Sequence, residues 1–314
     1  MRILFCGETF PVARAMMQSR LPSDDLVVCR QTAILEALDG VDVVVPLMAR
    51  IDRPLMEAGR FRLIQQFGTG LEGIDLDAAR ERGIWVANAA ASAAANAESV
   101  AEHALLLTLA VLRQLPAALA NVRAGVLGVP LGAALAGRTV CIVGLGAVGR
   151  SVAARLAAFG VRLIGVTRRP DAKRAAELGL TMCCAIAERL TAFAAADILI
   201  LCMPLTAETR GLIDAAAFAA LPDGACLVNV ARGGLVDYAA AFAALASGRL
   251  RGAGLDVFWE EPIAPDDRLL ALPNVLATPH VAGVTDRSYA GITEAVTANI
   301  ERLRRGEPPA HRAA

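Results

Sequence analysis

The sequence predicts an α/β protein made of two doubly wound parallel-sheet domains. Three observations carry that prediction. Short, nearly continuous apolar runs alternate with helix-length segments along most of the chain. The stretch Gly144-Leu145-Gly146-Ala147-Val148-Gly149 lies where one such run gives way to a helical pattern. The alternation is broken by a long helix-forming stretch, residues 97–113, long enough to bridge two lobes.

The first series of apolar runs covers residues 3–6, 26–29, 41–47, 63–67 and 84–87. Runs with no polar alternation are buried on both faces, and a parallel crossover needs a helix's length of chain, so these segments form one parallel sheet covered on both sides. The second series covers 140–143, 162–166, 198–202, 227–230, 254–257 and 275–277. After Pro279-His280 the pattern turns helical from about 285 to 305 with no strand left to join, so this helix is expected to return to the first lobe. The domains are therefore expected to comprise residues 1–97 with 286–314, and residues 98–285. The Pro308-Pro309 tail is expected to fray.

Composition narrows the partners. Thirty-one basic residues balance thirty-one acidic ones, so no net field draws the chain to nucleic acid or an anionic membrane. The apolar fraction of 56% is inflated by alanine, and the longest apolar stretches fall short of the roughly 18–20 residues that span a bilayer. The first residues read as a buried strand rather than a signal peptide, which points to the cytoplasm. Seven cysteines stand mostly in strand-like settings. Cys183-Cys184 are adjacent, without metal-ligand spacing, so no metal is expected.

The glycine motif gains meaning from its context. Its first glycine permits a tight turn, the second lets backbone approach a pyrophosphate, and the third lets helix and strand pack closely, with phosphate at the helix N-terminus. Gly144, Gly146, Ala147, Val148 and Gly149 are thus candidate cofactor-binding residues. The next strand ends Thr167-Arg168-Arg169, where an NAD site carries a carboxylate for the ribose hydroxyls. Two guanidinium groups there suit a 2′-phosphate, so NADP(H) is expected over NAD(H).

Three further segments each begin as a strand and end on a polar residue: 227–237 with Arg232, 254–262 with Glu261, and 274–283 with His280. Because the C-terminal ends of strands in an open parallel sheet line one crevice, the three side chains can converge. Among three histidines, His311 lies in the tail and His103 in an apolar helix, where a buried hydrogen-bonded role is expected. Asp75 and Asp237 read as helix N-caps, and Glu260 as solvated.

These segments follow the glycine loop in an order that resembles the D-isomer-specific 2-hydroxyacid dehydrogenases, which include glyoxylate/hydroxypyruvate reductases and phosphoglycerate dehydrogenases. The resemblance extends to 68–75, 96–103 and 204–213 and covers nearly the whole chain. It implies a flavodoxin-like substrate domain and a Rossmann dinucleotide-binding domain, with hydride transfer between a nicotinamide and C2 of a small 2-oxo acid. His280 would exchange the proton, Glu261 would orient it, and Arg232 would bind the substrate and polarise its carbonyl. Backbone N–H groups of Thr69 and Gly70 would anchor the substrate carboxylate. Val230, Asp256 and Gly283 would lie around the nicotinamide, and Pro204 and Thr209 near the adenosine half.

The resemblance also implies a homodimer built around residues 98–125. The sequence departs from the commoner pattern at Thr167 and at 91–95, where alanines replace a loop usually richer in Pro, Thr and Gly. Glu261 speaks against formate as substrate. Two alternatives remain: an NAD-dependent phosphoglycerate-type dehydrogenase, opposed by Thr167 and by the absence of an appended domain, and a dinucleotide-sensing, corepressor-like interaction protein.

Overall fold

The computed structural model describes residues 1–90 and 95–314. The chain divides into two compact units, Met1–Asn96 with Thr285–Ala314, and Ala97–Val284.

The first unit holds a five-stranded sheet made of β1 (Arg2–Phe5), β2 (Asp25–Val28), β3 (Val43–Val45), β4 (Leu63–Gln65) and β5 (Trp85–Ala87), in the order β2-β1-β3-β4-β5. Every pairing is parallel. β1, β3 and β4 are almost wholly buried, as their unbroken apolar sequences require. Asp75 caps the helix Leu76–Glu81 by accepting from the Ala78 N–H at 2.9 Å.

The helix Asp286–Arg304 belongs to this unit and starts on a Thr285 cap, whose hydroxyl accepts from the Ser288 N–H. It is tied to the sheet by Asn299, which donates to the Gln65 side chain at 2.8 Å, and by the edge-on contact of Tyr289 with Phe67. The tail departs from expectation. Rather than fraying, Ala313 donates to the Val86 carbonyl at 2.7 Å, and Arg312 bridges Ala87 in antiparallel fashion. β5 is the sheet's edge, so its open backbone groups give the tail a partner.

The second unit holds a seven-stranded sheet: β6 (Thr139–Val143), β7 (Arg162–Thr167), β8 (Leu180–Ala185), β9 (Ile198–Leu201), β10 (Ala225–Asn229), β11 (Leu250–Leu255) and β12 (Val275–Ala277), in the order β12-β11-β10-β9-β6-β7-β8. All its pairings are parallel, so the α/β class with two parallel sheets is as the sequence predicts. β8 was not among the predicted strands: it is an edge strand with no fully buried side chain, and Thr181 is its one β-branched residue. β11 begins earlier than predicted and ends at Leu255, leaving Asp256 and Val257 in the loop beyond.

Among the described residues no single helix is long and apolar enough to cross a membrane. One pair, Asn96–Leu112 with Leu115–Arg123, passes that test jointly but is bent by 61°. All seven cysteines are free thiols. Burial alone pushes Cys202 up to about 12, and Cys226 is raised to about 11 chiefly by burial, so both stay protonated and unreactive near neutrality.

Candidate active site

The helix Ala147–Leu156 follows β6 through the glycine turn, and the three motif glycines have separable reasons to lack a side chain. Gly144 has φ +102°, a conformation few L-residues adopt, and a Cβ there would meet the Cys202–Met203 backbone at 2.8 Å. A Cβ on Gly149 would lie 1.9 Å from the Gly144 carbonyl oxygen, so this glycine lets helix and strand close on each other. Gly146 differs: nothing lies within 4 Å of where its Cβ would stand, and as N-cap it offers the helix no side-chain acceptor. The first turn therefore presents N–H groups beside an open space that a methyl group would fill. That is the fit expected for a dinucleotide pyrophosphate.

β7 ends at half-buried Thr167, and Arg168 and Arg169 are exposed beyond it. The carboxyl of Glu208 is held below the usual carboxylate range, first by the Thr206 hydroxyl and also by the charge of Arg168, which puts that guanidinium near the loop after β9. In that loop the Thr209 hydroxyl donates to the Pro204 carbonyl at 2.8 Å and accepts from the Thr206 N–H at 2.7 Å, so it shapes the turn.

Arg232, Glu261 and His280 follow β10, β11 and β12 in the same sheet. Asn229 turns the chain after β10, accepting from the Ala231 N–H and donating to the Arg232 carbonyl. Arg232 is half buried. The next residue, Gly233, is pressed against the loop that carries Glu261, since a Cβ on it would lie 2.0 Å from the Phe258 carbonyl carbon. The Phe258 N–H in turn donates to Glu261 Oε1 at 2.9 Å. Glu261 Oε2 lies 2.5 Å from His280 Nδ1, with side-chain exposures of 15% and 30%.

One carboxylate oxygen is thus fixed by backbone while the other holds the imidazole, leaving His280 Nε2 as the ring atom open to chemistry. Glu260, by contrast, is exposed.

Asp256, 1% exposed, stands just past β11. Its Oδ1 accepts from the Thr278 hydroxyl at 2.6 Å and the Val281 N–H at 2.9 Å, and its Oδ2 from the Ala282 N–H at 2.8 Å. Burial works to raise its pKa, but hydrogen bonds from His103, Thr278, Ala282 and Val281 outweigh it and hold the carboxyl below the usual range. His103 is hydrogen-bonded, as its helical setting predicts: Nε2 lies 2.9 Å from the Thr278 hydroxyl. Val230 is buried and Gly283 half buried.

In the first unit, the loop Gly68-Thr69-Gly70 is anchored through its carbonyls. These accept from the Ala89 N–H, the Asn88 amide and the Gln66 amide respectively. Gly68 has φ +140°, which glycine adopts without strain. Residues 91–94, most of the alanine loop that departs from the commoner pattern, lie outside the described residues. Among the described residues no group of three or more His, Cys, Asp or Glu side chains is placed to hold a metal ion.

A family model described as D-isomer specific 2-hydroxyacid dehydrogenase, NAD binding domain, matches residues 105–282. The chain belongs to this family. It is 36% identical to the glyoxylate reductase of Korarchaeum cryptofilum, over 88% of this chain and 83% of that protein. It is 34% identical to the D-3-phosphoglycerate dehydrogenase of Archaeoglobus fulgidus, over 89% of this chain but only 52% of that one, so it spans about half the length of that relative. Among solved structures, an NADPH-dependent glyoxylate/hydroxypyruvate reductase from Sinorhizobium meliloti in complex with NADP and malonate superposes with a TM-score of 0.85 at 34% identity, covering 100% of this chain and 96% of that one. The family membership accounts for the dinucleotide-binding fold of the second unit.

Proposed function

We propose that this protein is a nicotinamide-dependent 2-hydroxyacid dehydrogenase acting chiefly as an NADPH-dependent reductase of small 2-oxo acids, glyoxylate and hydroxypyruvate among them. The observation that carries the reading is the His280–Glu261 pair at 2.5 Å, in the loops that follow β12 and β11 of the sheet that also carries the glycine turn.

Gly144, Gly146, Ala147, Val148 and Gly149 would hold the dinucleotide phosphates. Val230, Asp256 and Gly283 would flank the nicotinamide, and Pro204 and Thr209 the adenosine half. When bound, the dinucleotide supplies or accepts a hydride at nicotinamide C4. His280 gives a proton from Nε2 to the substrate oxygen in reduction and takes it back in oxidation, while Nδ1 stays bonded to Glu261. Glu261 keeps that ring oriented. Arg232 binds substrate carboxylate and carbonyl oxygens and offsets the charge that develops on the latter.

Three details extend the reading. Thr167, Arg168 and Arg169 favour a 2′-phosphate over a bare ribose, hence NADP(H). A homodimer is proposed around residues 98–125, a stretch that includes Val122, 74% exposed, and runs on to Leu127 and Leu131, 90% and 89% exposed. A cytoplasmic setting fits seven free thiols. The similarity to phosphoglycerate dehydrogenases favours one second reading, an NAD-dependent enzyme of that type.

Purified protein is to be mixed with NADPH or NADH and a panel of 2-oxo acids, and the nicotinamide absorbance followed. Loss of absorbance with glyoxylate or hydroxypyruvate, faster with NADPH and abolished by His280→Ala, is the expected result. Turnover only with NADH and phosphohydroxypyruvate selects the second reading. No turnover, with dinucleotide still bound, selects an interaction protein. Arg168→Ala should raise KM for NADPH and leave NADH unchanged; equal loss with both refutes the 2′-phosphate contact.

A further inference from the structure

His280 is one of five non-glycine residues with positive φ among those described, at +54°. An L-residue rests there only when its surroundings hold it. The restraint centres on one residue, beside a bond from the His280 N–H to the Thr278 carbonyl at 3.0 Å. The Asp256 carbonyl accepts from the His280 N–H at 2.9 Å, and the Asp256 carboxylate accepts from the N–H groups of the next two residues, Val281 and Ala282. Three consecutive amides are gathered on Asp256.

The carboxylate is held in turn. The Thr278 hydroxyl has one proton and gives it to Asp256 Oδ1 at 2.6 Å. Its lone pairs are then what faces His103 Nε2 at 2.9 Å, so that nitrogen must carry a proton and donate it. The same Nε2 lies 3.4 Å from Asp256 Oδ1. Donation runs one way, from His103 through Thr278 to Asp256, and starts on the helix Asn96–Leu112.

We infer that His103 is a positioning residue for the reaction proposed above, acting through Thr278 and Asp256 to keep His280 in the left-handed backbone geometry from which its imidazole meets Glu261. The inference rests on His280 as the proton-exchanging group. It assigns to His103 a role beyond that of a satisfied polar group on an apolar helix. His103 bonds to Thr278, and its effect on His280 is transmitted by the loop.

The test compares His103→Leu, which removes the donor, with His103→Gln, whose amide nitrogen can stand in for Nε2, and Thr278→Val with Thr278→Ser. His103→Leu and Thr278→Val are expected to lower kcat about ten-fold or more, since small misplacements at a reacting centre are costly, while KM for the 2-oxo acid stays within about two-fold. His103→Gln and Thr278→Ser are expected to recover most of kcat. A merely structural role would move thermal stability and leave this split and rescue absent. Wild-type kcat in both folded Leu and Val variants, or Gln and Ser variants no better than Leu and Val, overturns the inference. If His103→Leu does not fold, the Thr278 pair decides.

Should the wild type reduce no 2-oxo acid, the functional reading fails on its own. The relay is then judged in the protein without substrate, from the ¹H–¹⁵N imidazole resonances of His280. A shift or broadening in Thr278→Val that Thr278→Ser restores supports the relay, and resonances unchanged in both overturn it.

Discussion

Replacing Asp256 by asparagine keeps the shape of the side chain and removes its charge, and the consequences follow from its three donors. The amide oxygen can stand where Oδ1 stands and still accept from the Thr278 hydroxyl and the Val281 N–H. The amide NH₂ must then face the Ala282 N–H, now 2.8 Å from Oδ2, donor against donor. A hydrogen bond to a charged group contributes about 1.5–3 kcal/mol, and an orphaned buried donor costs about 1–3 kcal/mol. Local relaxation recovers part, so a loss of about 3 kcal/mol is expected, or about 6–12 °C in the melting temperature of a domain of this size.

The sign with pH follows from the depressed pKa of Asp256. A carboxyl that ionises more readily folded than unfolded contributes stability fully above its unfolded pKa, about 3.9, and loses it as pH falls through the folded value. The gap between wild type and Asp256→Asn should therefore be constant from pH 7 to about pH 5 and narrow below about pH 4. Thermal melts of both proteins across that range, followed by circular dichroism, measure it. The Asp24 carboxyl of the first unit is also depressed, its burial outweighed by the N-terminal ammonium and Arg304, but it is common to both proteins and cancels. A gap under about 2 °C at pH 7, or one that stays the same down to pH 3, would refute the reasoning.

Gly149→Ala should lose about 1–3 kcal/mol or more to overpacking against the Gly144 carbonyl, whereas Gly146→Ala should melt within about 1 °C of wild type and still bind NADPH more weakly. Calorimetric titration beside thermal melts separates the two, and unimpaired binding by Gly146→Ala would remove the pyrophosphate from this turn. Glutamate at both Leu127 and Leu131, exposed apolar positions, should convert a dimer to monomer in sedimentation; a monomeric wild type would reject the proposed interface. Glu261→Gln should lower kcat for 2-oxo acid reduction by about 10²-fold or more, as loss of general acid–base support does, with KM changed far less; stopped-flow absorbance at the nicotinamide band gives both constants.

The inner strands were legible because burial on both faces leaves an unmistakable run of apolar residues, as in Val140–Val143 or Leu227–Val230. The edges were not. β8 buries none of its side chains fully and has one β-branched residue, Thr181, so its sequence does not mark it as a strand, and the Pro308-Pro309 tail reads as loose because its pairing with β5 is made by backbone groups that leave no mark on side-chain pattern. That Arg232, Glu261 and His280 lie in the loops beyond β10, β11 and β12 follows from apolar runs giving way to polar residues. What fixes Glu261 was hidden, because the Phe258 N–H and the approach of Gly233 to Phe258 depend on loop geometry between strands, not on residue type.

Asp256 explains why the rest was hidden. A carboxylate this deeply buried needs donors to offset its desolvation, and the sheet alone supplies none beyond the end of β11. The chain meets that need by folding residues 278–282 back onto it, with Thr278, Val281 and Ala282 as donors. The left-handed backbone at His280 is the geometric consequence of gathering its neighbours' amides on one carboxylate, and the ring then falls within 2.5 Å of Glu261. Family resemblance gives Asp256 to the nicotinamide, and its remaining lone pair leaves that role open. Its hydrogen bonds give it an earlier one: satisfying a buried charge is what places the imidazole.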